Sequence, residues 1–306
     1  MNVRLSDLKL NQFGVVCHDA GGALYISKLI NQIEEDINAI YVLDGPAVEI
    51  FKRELVNHKV NSISINDLEE SKLRNCQLIL TGSGWQTDHE LRGIRLAKKM
   101  KIKSVTLLDH YVNYKRRFMR NGILVLPNTL WLTDMDAFNI ASLEFKGIEI
   151  YLELIPDPIE KDMLKYLKID SEKDVLLYIT EPISNIGQLP NLNSEKIVSE
   201  AEAFQKFINQ YRSLKLKLPV RLRVHPSEDK QFYIKMLAFH DFTAEISENI
   251  DPLQDIVESR YVVGMESIML TWAIKAKKET FTIFPIDSRY CSLPHENIRE
   301  FRDLIY

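Results

Sequence analysis

The chain has 306 residues and a mass of 35.6 kDa, which exceeds the usual size of one hydrophobic core and predicts two domains of roughly 150 residues each. Its 45% hydrophobic and 27% charged residues exclude a disordered or fibrous protein. With 39 Lys and Arg against 43 Asp and Glu, the net charge of −4 argues against a nucleic-acid-binding surface.

The cysteines and the N-terminus indicate the compartment. Cys17, Cys76 and Cys291 form no CxxC pair, so neither a disulfide framework nor a zinc site is predicted. The N-terminal residues contain no apolar leader, and no apolar run approaches the ~20 residues that a membrane-spanning helix needs. We therefore expect reduced thiols, a cytoplasmic location and no integral membrane segment.

Short apolar runs alternate with amphipathic segments in the first half, as is typical of βα units around a parallel sheet. A first strand is predicted at Gln12–Cys17, followed by a glycine turn at His18–Ala23 and a helix through about Glu35. Further strands are predicted at Ala39–Leu43, Ser62–Ile65, Gln77–Thr81, Ser104–Leu108 and Ile123–Leu126, with helices near Ala47–Asn57 and Asp88–Met100.

Two prolines, Pro156 and Pro158, interrupt this alternation, because proline disfavours both helix interiors and ladder pairing. A charged helix from Ile159 to about Lys168 leads into a polar stretch at Asp170–Asp174 that suits a linker. We expect domains at residues 1–155 and 171–306, joined by a linker at 156–170.

The second half repeats the pattern. Strands are predicted at Val175–Ile179, Val220–Val224, Phe242–Ile246, Tyr261–Val263 and Thr280–Phe284, with helices near Glu195–Tyr211, Lys230–Phe239, Leu253–Glu258 and Ile268–Ala276. The predicted fold class is α/β, with two Rossmann-like domains facing each other across a cleft.

Ligands of open parallel sheets bind beyond the carboxyl ends of the strands, so the residues after each predicted strand are candidate site residues. They are Asp19 with Gly21 and Gly22, Gly82–Trp85, Asp109 with His110, Thr180 with Glu181, His225–Ser227 and Gly264–Ser267.

The strongest candidate is a phosphate site in the second domain. Ser267 opens a helix, whose free N–H groups and dipole favour an anion, and His225 supplies a compact hydrogen-bond donor. The alternative is structural: Ser267 caps its helix, and His225 makes hydrogen bonds within a turn set by Pro226.

The strand-end pair His225–Pro226, the later motif Glu266–Ser267 and a helix with small residues, Ala273 and Ala276, resemble nucleotide-sugar enzymes of the GT-B glycosyltransferase architecture. Bacterial sialyltransferases and polysialyltransferases are the most similar in these motifs, which cover about a dozen residues. The resemblance implies that His225 and Ser267 hold the phosphate of a CMP-sugar. UDP-GlcNAc 2-epimerases share the architecture, so the resemblance does not determine which reaction the protein catalyses. The predicted nucleotide-binding residues are Thr180, Glu181, Arg223, His225, Pro226, Glu266 and Ser267.

The first domain is expected to carry the acceptor and the general base. Asp19 is the candidate base, because a strand-end carboxylate can deprotonate a hydroxyl and Gly21 and Gly22 allow close approach of a substrate. The alternative for Asp19 is a helix N-cap. Sialyltransferases of this architecture carry an acidic-acidic-glycine motif in this domain, from which the single acid of His18–Gly21 departs.

Other first-domain residues are predicted to bind substrate. Trp85 is placed to stack on a sugar or base, while Asp88 is expected to cap its helix. Asp109 and His110 begin a polar strand exit in which Arg116 or Arg117 would meet a carboxylate, with Arg116 preferred. The alternative is a solvated turn with Asp109 and His110 as a structural pair.

A DxD motif, Asp134–Asp136, is typical of a metal site in GT-A enzymes, but here it is interpreted as a helix start with Asp134 as the N-cap. The sequence contains no GxGxxG after the first strand, no GxxxxGK[ST], no HExxH and no GxSxG, which argues against dinucleotide, P-loop, zinc-protease and hydrolase chemistry. No metal and no cofactor are predicted.

These observations predict a metal-independent glycosyltransferase with Asp19 and His225 as catalytic residues. It would move a sugar, with a CMP-activated acidic donor preferred, to a glycan acceptor in bacterial surface glycan assembly, and it could form an oligomer. One alternative is a nucleotide-sugar epimerase or hydrolase similar to UDP-GlcNAc 2-epimerase, with Glu266 or Asp109 as its carboxylate. Another is a non-catalytic subunit that binds a nucleotide sugar.

Overall fold

The structure is a computed structural model that describes residues 12–33, 37–84, 87–167, 173–182, 199–284 and 291–304. The chain divides into two compact units, with the division between Ile159 and Glu160. The predicted domain limits at 155 and 171 stay predictions.

Unit 1 is built on a seven-stranded parallel sheet. Its strands follow the order β3-β2-β1-β4-β5-β8-β9. In chain order the strands of this unit are β1 (Phe13–Cys17), β2 (Ala39–Leu43), β3 (Ser62–Ile63), β4 (Leu78–Thr81), β5 (Lys103–Leu107), β6 (Met119–Arg120), β7 (Ile123–Leu124), β8 (Thr129–Leu132) and β9 (Tyr151–Leu154).

One predicted strand is wrong. Ile123–Leu126 does not enter the large sheet; instead β6 and β7 form a separate antiparallel pair, in which Ile123 is 63% exposed. The large sheet uses β8 and β9, which the sequence analysis missed. Every residue of β8 is buried, whereas β9 is an edge strand that is exposed at both ends and so lacks a continuous apolar run.

The helices of unit 1 are α1 (Ala20–Asn31), α2 (Pro46–Glu54), α3 (His89–Met100), α4 (Tyr114–Arg117) and α5 (Met135–Glu144). The interpretation of the DxD motif as a helix start is confirmed, because Asp134 accepts a hydrogen bond of 2.9 Å from Ala137 N. Asp88 occupies the N-cap position of α3 but makes no capping bond, since its carboxylate pairs with Arg120 Nε at 2.8 Å.

Unit 2 contains a six-stranded parallel sheet with the order β12-β11-β10-β13-β14-β15. Its strands are β10 (Lys173–Ile179), β11 (Val220–Arg223), β12 (Glu245–Ile246), β13 (Ser259–Gly264), β14 (Glu279–Thr282) and β15 (Arg299–Glu300). The remaining helices are α6 (Pro158–Tyr166), α7 (Glu200–Ser213), α8 (Lys230–Phe239), α9 (Pro252–Glu258) and α10 (Ile268–Lys275).

The core of unit 2 is aromatic. The Tyr178 ring on β10 lies 4.4 Å from the Phe207 ring and 5.2 Å from the Phe204 ring, both on α7, and all three side chains are buried. These contacts fix α7 on one face of the sheet, because aromatic pairs at such distances add to the stabilisation from burial.

In both sheets the first strand lies in the centre. The strand order reverses beside it, between β1 and β4 in unit 1 and between β10 and β13 in unit 2. This 3-2-1-4-5 order is that of Rossmann-like domains, in which the reversal opens a crevice at the carboxyl ends of the strands. The predicted α/β class with two Rossmann-like domains is confirmed. None of the helices in the described ranges combines the length and apolar character needed to cross a bilayer.

Candidate functional site

Polar residues gather beyond the carboxyl ends of β1, β4 and β5 in unit 1. The buried Asp109 accepts a hydrogen bond of 2.5 Å from Ser83 Oγ. Arg117, on α4, has Nη1 3.9 Å from Asp109 Oδ1 and donates to the Ser83 carbonyl at 2.9 Å. Arg117 is therefore the arginine beside Asp109, and the predicted contact of Arg116 with the carboxylate of an acidic sugar stays a prediction.

Glu90 completes this cluster, and the sequence analysis missed it. Its Oε1 accepts hydrogen bonds from the backbone N–H groups of His18, at 2.7 Å, and Asp19, at 3.2 Å. Within the described ranges its Oε2 has no hydrogen-bond partner, although the residue is only 2% exposed. The sequence signal that could have identified Glu90 is its place as an acidic residue in the first turn of the helix that follows a strand-end glycine loop.

Asp19 sits at the N-cap position of α1, but its side chain makes no capping hydrogen bond. Burial, followed by the charges of Asp109 and Glu90, raises the pKa of Asp19 to about 7, against the opposing effect of Arg117. The carboxyl group is thus close to half protonated at neutral pH, as an acid–base catalyst requires.

Glycines bring the acidic groups close to the start of α1. A Cβ at Gly21 would lie 2.1 Å from Asp109 Oδ2, and one at Gly22 would lie 2.9 Å from the Cα of Gly82. In Rossmann-like domains this helix N-terminus commonly binds phosphate. Here Asp109 lies against it and Glu90 accepts the N–H groups just before it, so two carboxyl side chains already surround this helix N-terminus.

Replacing Asp19 with asparagine is expected to stabilise the protein in a pH-dependent way. The folded chain holds the Asp19 proton more tightly than the unfolded chain, whose pKa is near the ordinary 3.8, so the ionised form costs stability. This cost begins near pH 4, grows until about pH 7 and is constant above. Thermal unfolding should show a higher Tm for Asp19→Asn than for wild type at pH 8, and equal values at pH 4. The exposed Asp67→Asn is the control, and a gain that is the same at every pH contradicts the assignment.

The candidate phosphate site lies at the edge of unit 2. His225 follows β11 and Thr180 follows β10, and the His225 N–H donates to Thr180 Oγ1 at 2.8 Å. Ser267 follows β13 on the other side of β10. Two strand spacings, roughly 10 Å, separate the ends of β11 and β13, and His225 and Ser267 follow these two ends at the same edge of the sheet.

The His225 side chain is a neutral donor. Burial, and then the charge of Arg223, lowers the pKa of His225 to about 4. Its Nδ1 accepts the Ser227 N–H at 3.2 Å and lies 2.8 Å from Ser227 Oγ. Because Nδ1 accepts a backbone N–H, the ring proton lies on Nε2, which meets no acceptor from the described part of the chain.

Helix α10 begins as predicted at Ser267, whose Oγ accepts a hydrogen bond of 3.3 Å from Met269 N. Glu181 Oε2 accepts the N–H of Glu266 at 3.0 Å, and Glu266 Oε2 accepts the Ser292 hydroxyl at 2.8 Å. The two carboxylates therefore hold loops together at the start of α10, and their direct contact with a nucleotide stays a prediction.

Other predicted site residues have different surroundings. Arg223 donates to Asp255 Oδ2 at 2.6 Å and to the Asn249 carbonyl at 2.9 Å, so its guanidinium is engaged within unit 2. His110 accepts the Tyr111 N–H at 3.0 Å. Arg116 is partly exposed, with Nη2 buried and unpaired within the described ranges, and Pro226 is exposed. Trp85 lies outside the described residues.

The described residues contain no group of three or more His, Cys, Asp or Glu side chains arranged to hold a metal ion.

Comparisons with known proteins identify the fold. No family model and no curated protein matches the sequence. UDP-GlcNAc 2-epimerase from Methanocaldococcus jannaschii, in complex with UDP-GlcNAc and UDP, is similar with a TM-score of 0.62 and 14% identity over 89% of this chain and 83% of that chain. The S. aureus MnaA–UDP co-structure gives 0.59 and 14% over 90% and 80%. Wall teichoic acid polymerase TagF gives 0.51 and 12% over 91% and 71%. The chain therefore has the GT-B-type fold that the resemblance implied, while a particular likeness to sialyltransferases stays a prediction.

Proposed function

We propose that this chain is an enzyme acting on a nucleotide sugar, and that its reaction is an epimerisation or hydrolysis of the kind catalysed by UDP-GlcNAc 2-epimerases. One observation carries the proposal: Asp19, with a pKa raised to about 7, lies in a cluster with Asp109 and Glu90 at the strand edge of unit 1. A carboxyl group whose pKa lies near 7 can both take up and release a proton at neutral pH, which acid–base catalysis requires.

The nucleotide is assigned to unit 2. The Nε2–H of His225 and the N-terminus of α10 offer hydrogen bonds to a phosphate, and neither requires a metal ion. Two neighbours in fold were solved with UDP, and TagF was solved after a soak with CDPG, so ligands of this class occur on the fold.

The sugar chemistry is assigned to unit 1. Asp109, supported by Ser83 and Arg117, is proposed as the base, and Asp19 as the group that delivers or accepts the second proton. Epimerisation takes a proton from one face of a carbon and returns a proton to the opposite face of the same carbon, and it therefore needs both roles.

A sugar with its own carboxylate is the less favoured substrate. Two unit charges 4 Å apart interact by about 4 kcal/mol at an effective dielectric constant near 20, and among the described residues the three carboxyl groups of this cluster have Arg117 as their neighbouring cation. We therefore favour a neutral sugar as the substrate over the CMP-activated acidic donor that the sequence analysis predicts. Glycosyl transfer is the second candidate function, because Asp19 also suits the general base that an acceptor hydroxyl needs.

Two measurements test the proposal. A thermal-shift panel of CMP, UDP, GDP and ADP is expected to show a rise in Tm with UDP, because a ligand that binds only the folded state stabilises it. NMR of an incubation with UDP-GlcNAc is then expected to show an epimerised sugar or free UDP without any acceptor. Turnover only after a glycan acceptor is added would favour transfer. Binding without turnover in either case would identify a non-catalytic subunit, and no response to any pyrimidine nucleotide would overturn the proposal.

A further inference from the structure

The hydroxyl of Thr180 is bonded on both sides within unit 2. Its Oγ1 accepts the His225 N–H at 2.8 Å and donates to Glu228 Oε2 at 2.5 Å. A threonine hydroxyl has one proton, and here that proton lies toward Glu228. Thr180 therefore has no proton left to donate to a phosphate, and its predicted place among the residues that line the nucleotide site stays a prediction.

Glu228 is fixed in turn by a second hydroxyl. Tyr233 OH, on α8, donates to Glu228 Oε1 at 2.6 Å, and the Glu228 N–H donates to the His225 carbonyl at 2.9 Å. Burial raises the pKa of Glu228, while the two hydroxyl groups oppose that shift. The loop from His225 to Glu228 is thus tied at the backbone of His225 on both its N–H and its carbonyl sides.

We infer that Thr180 and Glu228 are positioning residues that hold His225 so that its Nε2–H is presented to a phosphate. The inference rests on the proposed function in one respect only, namely that His225 meets a nucleotide phosphate. Nothing in this arrangement requires Thr180 or Glu228 to touch the ligand. Their effect on binding should therefore depend on the presence of the His225 ring and of the phosphate.

Thr180→Val and Thr180→Ser form a matched pair, because valine keeps the shape without the hydroxyl and serine keeps the hydroxyl. A hydrogen bond contributes about 1 kcal/mol, which corresponds to roughly fivefold in affinity. We expect Thr180→Val to weaken UDP binding by about this factor and to leave uridine binding unchanged, and Thr180→Ser to behave as wild type. In a His225→Ala background, Thr180→Val should cost no further UDP affinity.

Calorimetric titration with UDP and uridine measures these effects. An equal loss for both ligands, or an undiminished loss in the His225→Ala background, would overturn the inference, because either indicates a general loosening of unit 2. If Thr180→Val does not fold, the affinities of Tyr233→Phe for UDP and uridine are measured instead. We expect Tyr233→Phe to lose less UDP affinity than Thr180→Val and to keep its affinity for uridine.

Hydrogen exchange separates this inference from the proposed function. If the wild-type protein binds UDP no better than uridine, the proposed phosphate site is wrong. In that case the rate of hydrogen exchange at the His225 amide still tests whether Thr180 positions His225, independently of any ligand. Faster exchange in Thr180→Val with wild-type exchange in Thr180→Ser supports it, and unchanged exchange in both overturns it.

Discussion

The Asp109→Asn variant is expected to lose about two to four orders of magnitude in turnover of its nucleotide sugar, which is the usual contribution of a general acid or base. Asparagine keeps the shape of the side chain and the acceptor for Ser83 Oγ, but it can neither take up nor release a proton. Since the nucleotide is assigned to unit 2, the Kd for UDP should stay within about twofold. Release of UDP from UDP-GlcNAc and calorimetric titration with UDP measure the two quantities.

Two controls make this result specific. Asp67→Asn changes the same chemical group at an exposed position of unit 1 and should leave turnover unchanged. Ser83→Ala removes the hydroxyl that orients Asp109 and should lower turnover less than Asp109→Asn does. Substantial turnover in Asp109→Asn, above a tenth of wild type, is incompatible with Asp109 as the base.

The largest expected effect on stability comes from Asp255, which is fully buried in unit 2. Its Oδ2 accepts hydrogen bonds from Arg223 and Ser247, both at 2.6 Å, while Oδ1 accepts from Asn249 at 2.6 Å and Arg221 at 3.3 Å. Asp255→Ala leaves two guanidinium groups without this buried partner. Breaking a buried ion pair by removing one member costs about 3–5 kcal/mol. Urea unfolding followed by a probe in unit 2 should show this loss.

Glu245→Ala is the matched control. Glu245 lies 3.8 Å from Arg221 Nε but is 70% exposed, and an exposed ion pair contributes about 0–1 kcal/mol. An equal loss of stability in Asp255→Ala and Glu245→Ala would contradict the importance of the buried network. The same network explains why Arg223, predicted to bind a nucleotide, is engaged with its own unit.

Much of the candidate site was predictable because strand ends can be located from apolar runs. Asp19, Asp109, His225 and Ser267 each follow a run that forms a strand in the structure, and parallel strands in one sheet bring their carboxyl ends to one edge. Predictions failed where apolar runs and strands did not coincide. Ile123–Leu126 has the apolar run of a buried strand, yet only Ile123 and Leu124 form a strand, in a small antiparallel pair where Ile123 is exposed, while β9 belongs to the sheet but is exposed at both ends.

Side-chain partners were less predictable than positions. Asp88 and Asp19 both occupy N-cap positions, yet the carboxylate of one pairs with Arg120 and that of the other joins an acidic cluster. Capping depends on a few local torsion angles, whereas these alternatives depend on residues far away in the chain.

The sequence by itself determined the α/β class, the Rossmann-like pattern in both halves and the strand-end residues, because hydrophobic periodicity and turn residues are local properties of the chain. Only the tertiary structure decided that Glu90 and Arg117 join Asp19 and Asp109, and that Thr180 bonds Glu228 and His225. The contacts of Glu90 with Asp19 and of Thr180 with Glu228 and His225 join segments far apart in the chain, whereas Arg117 meets Asp109 from the helix that follows it. Burial is the largest cause of both shifted pKa values, raising that of Asp19 and lowering that of His225, and burial arises only when the sheets have formed.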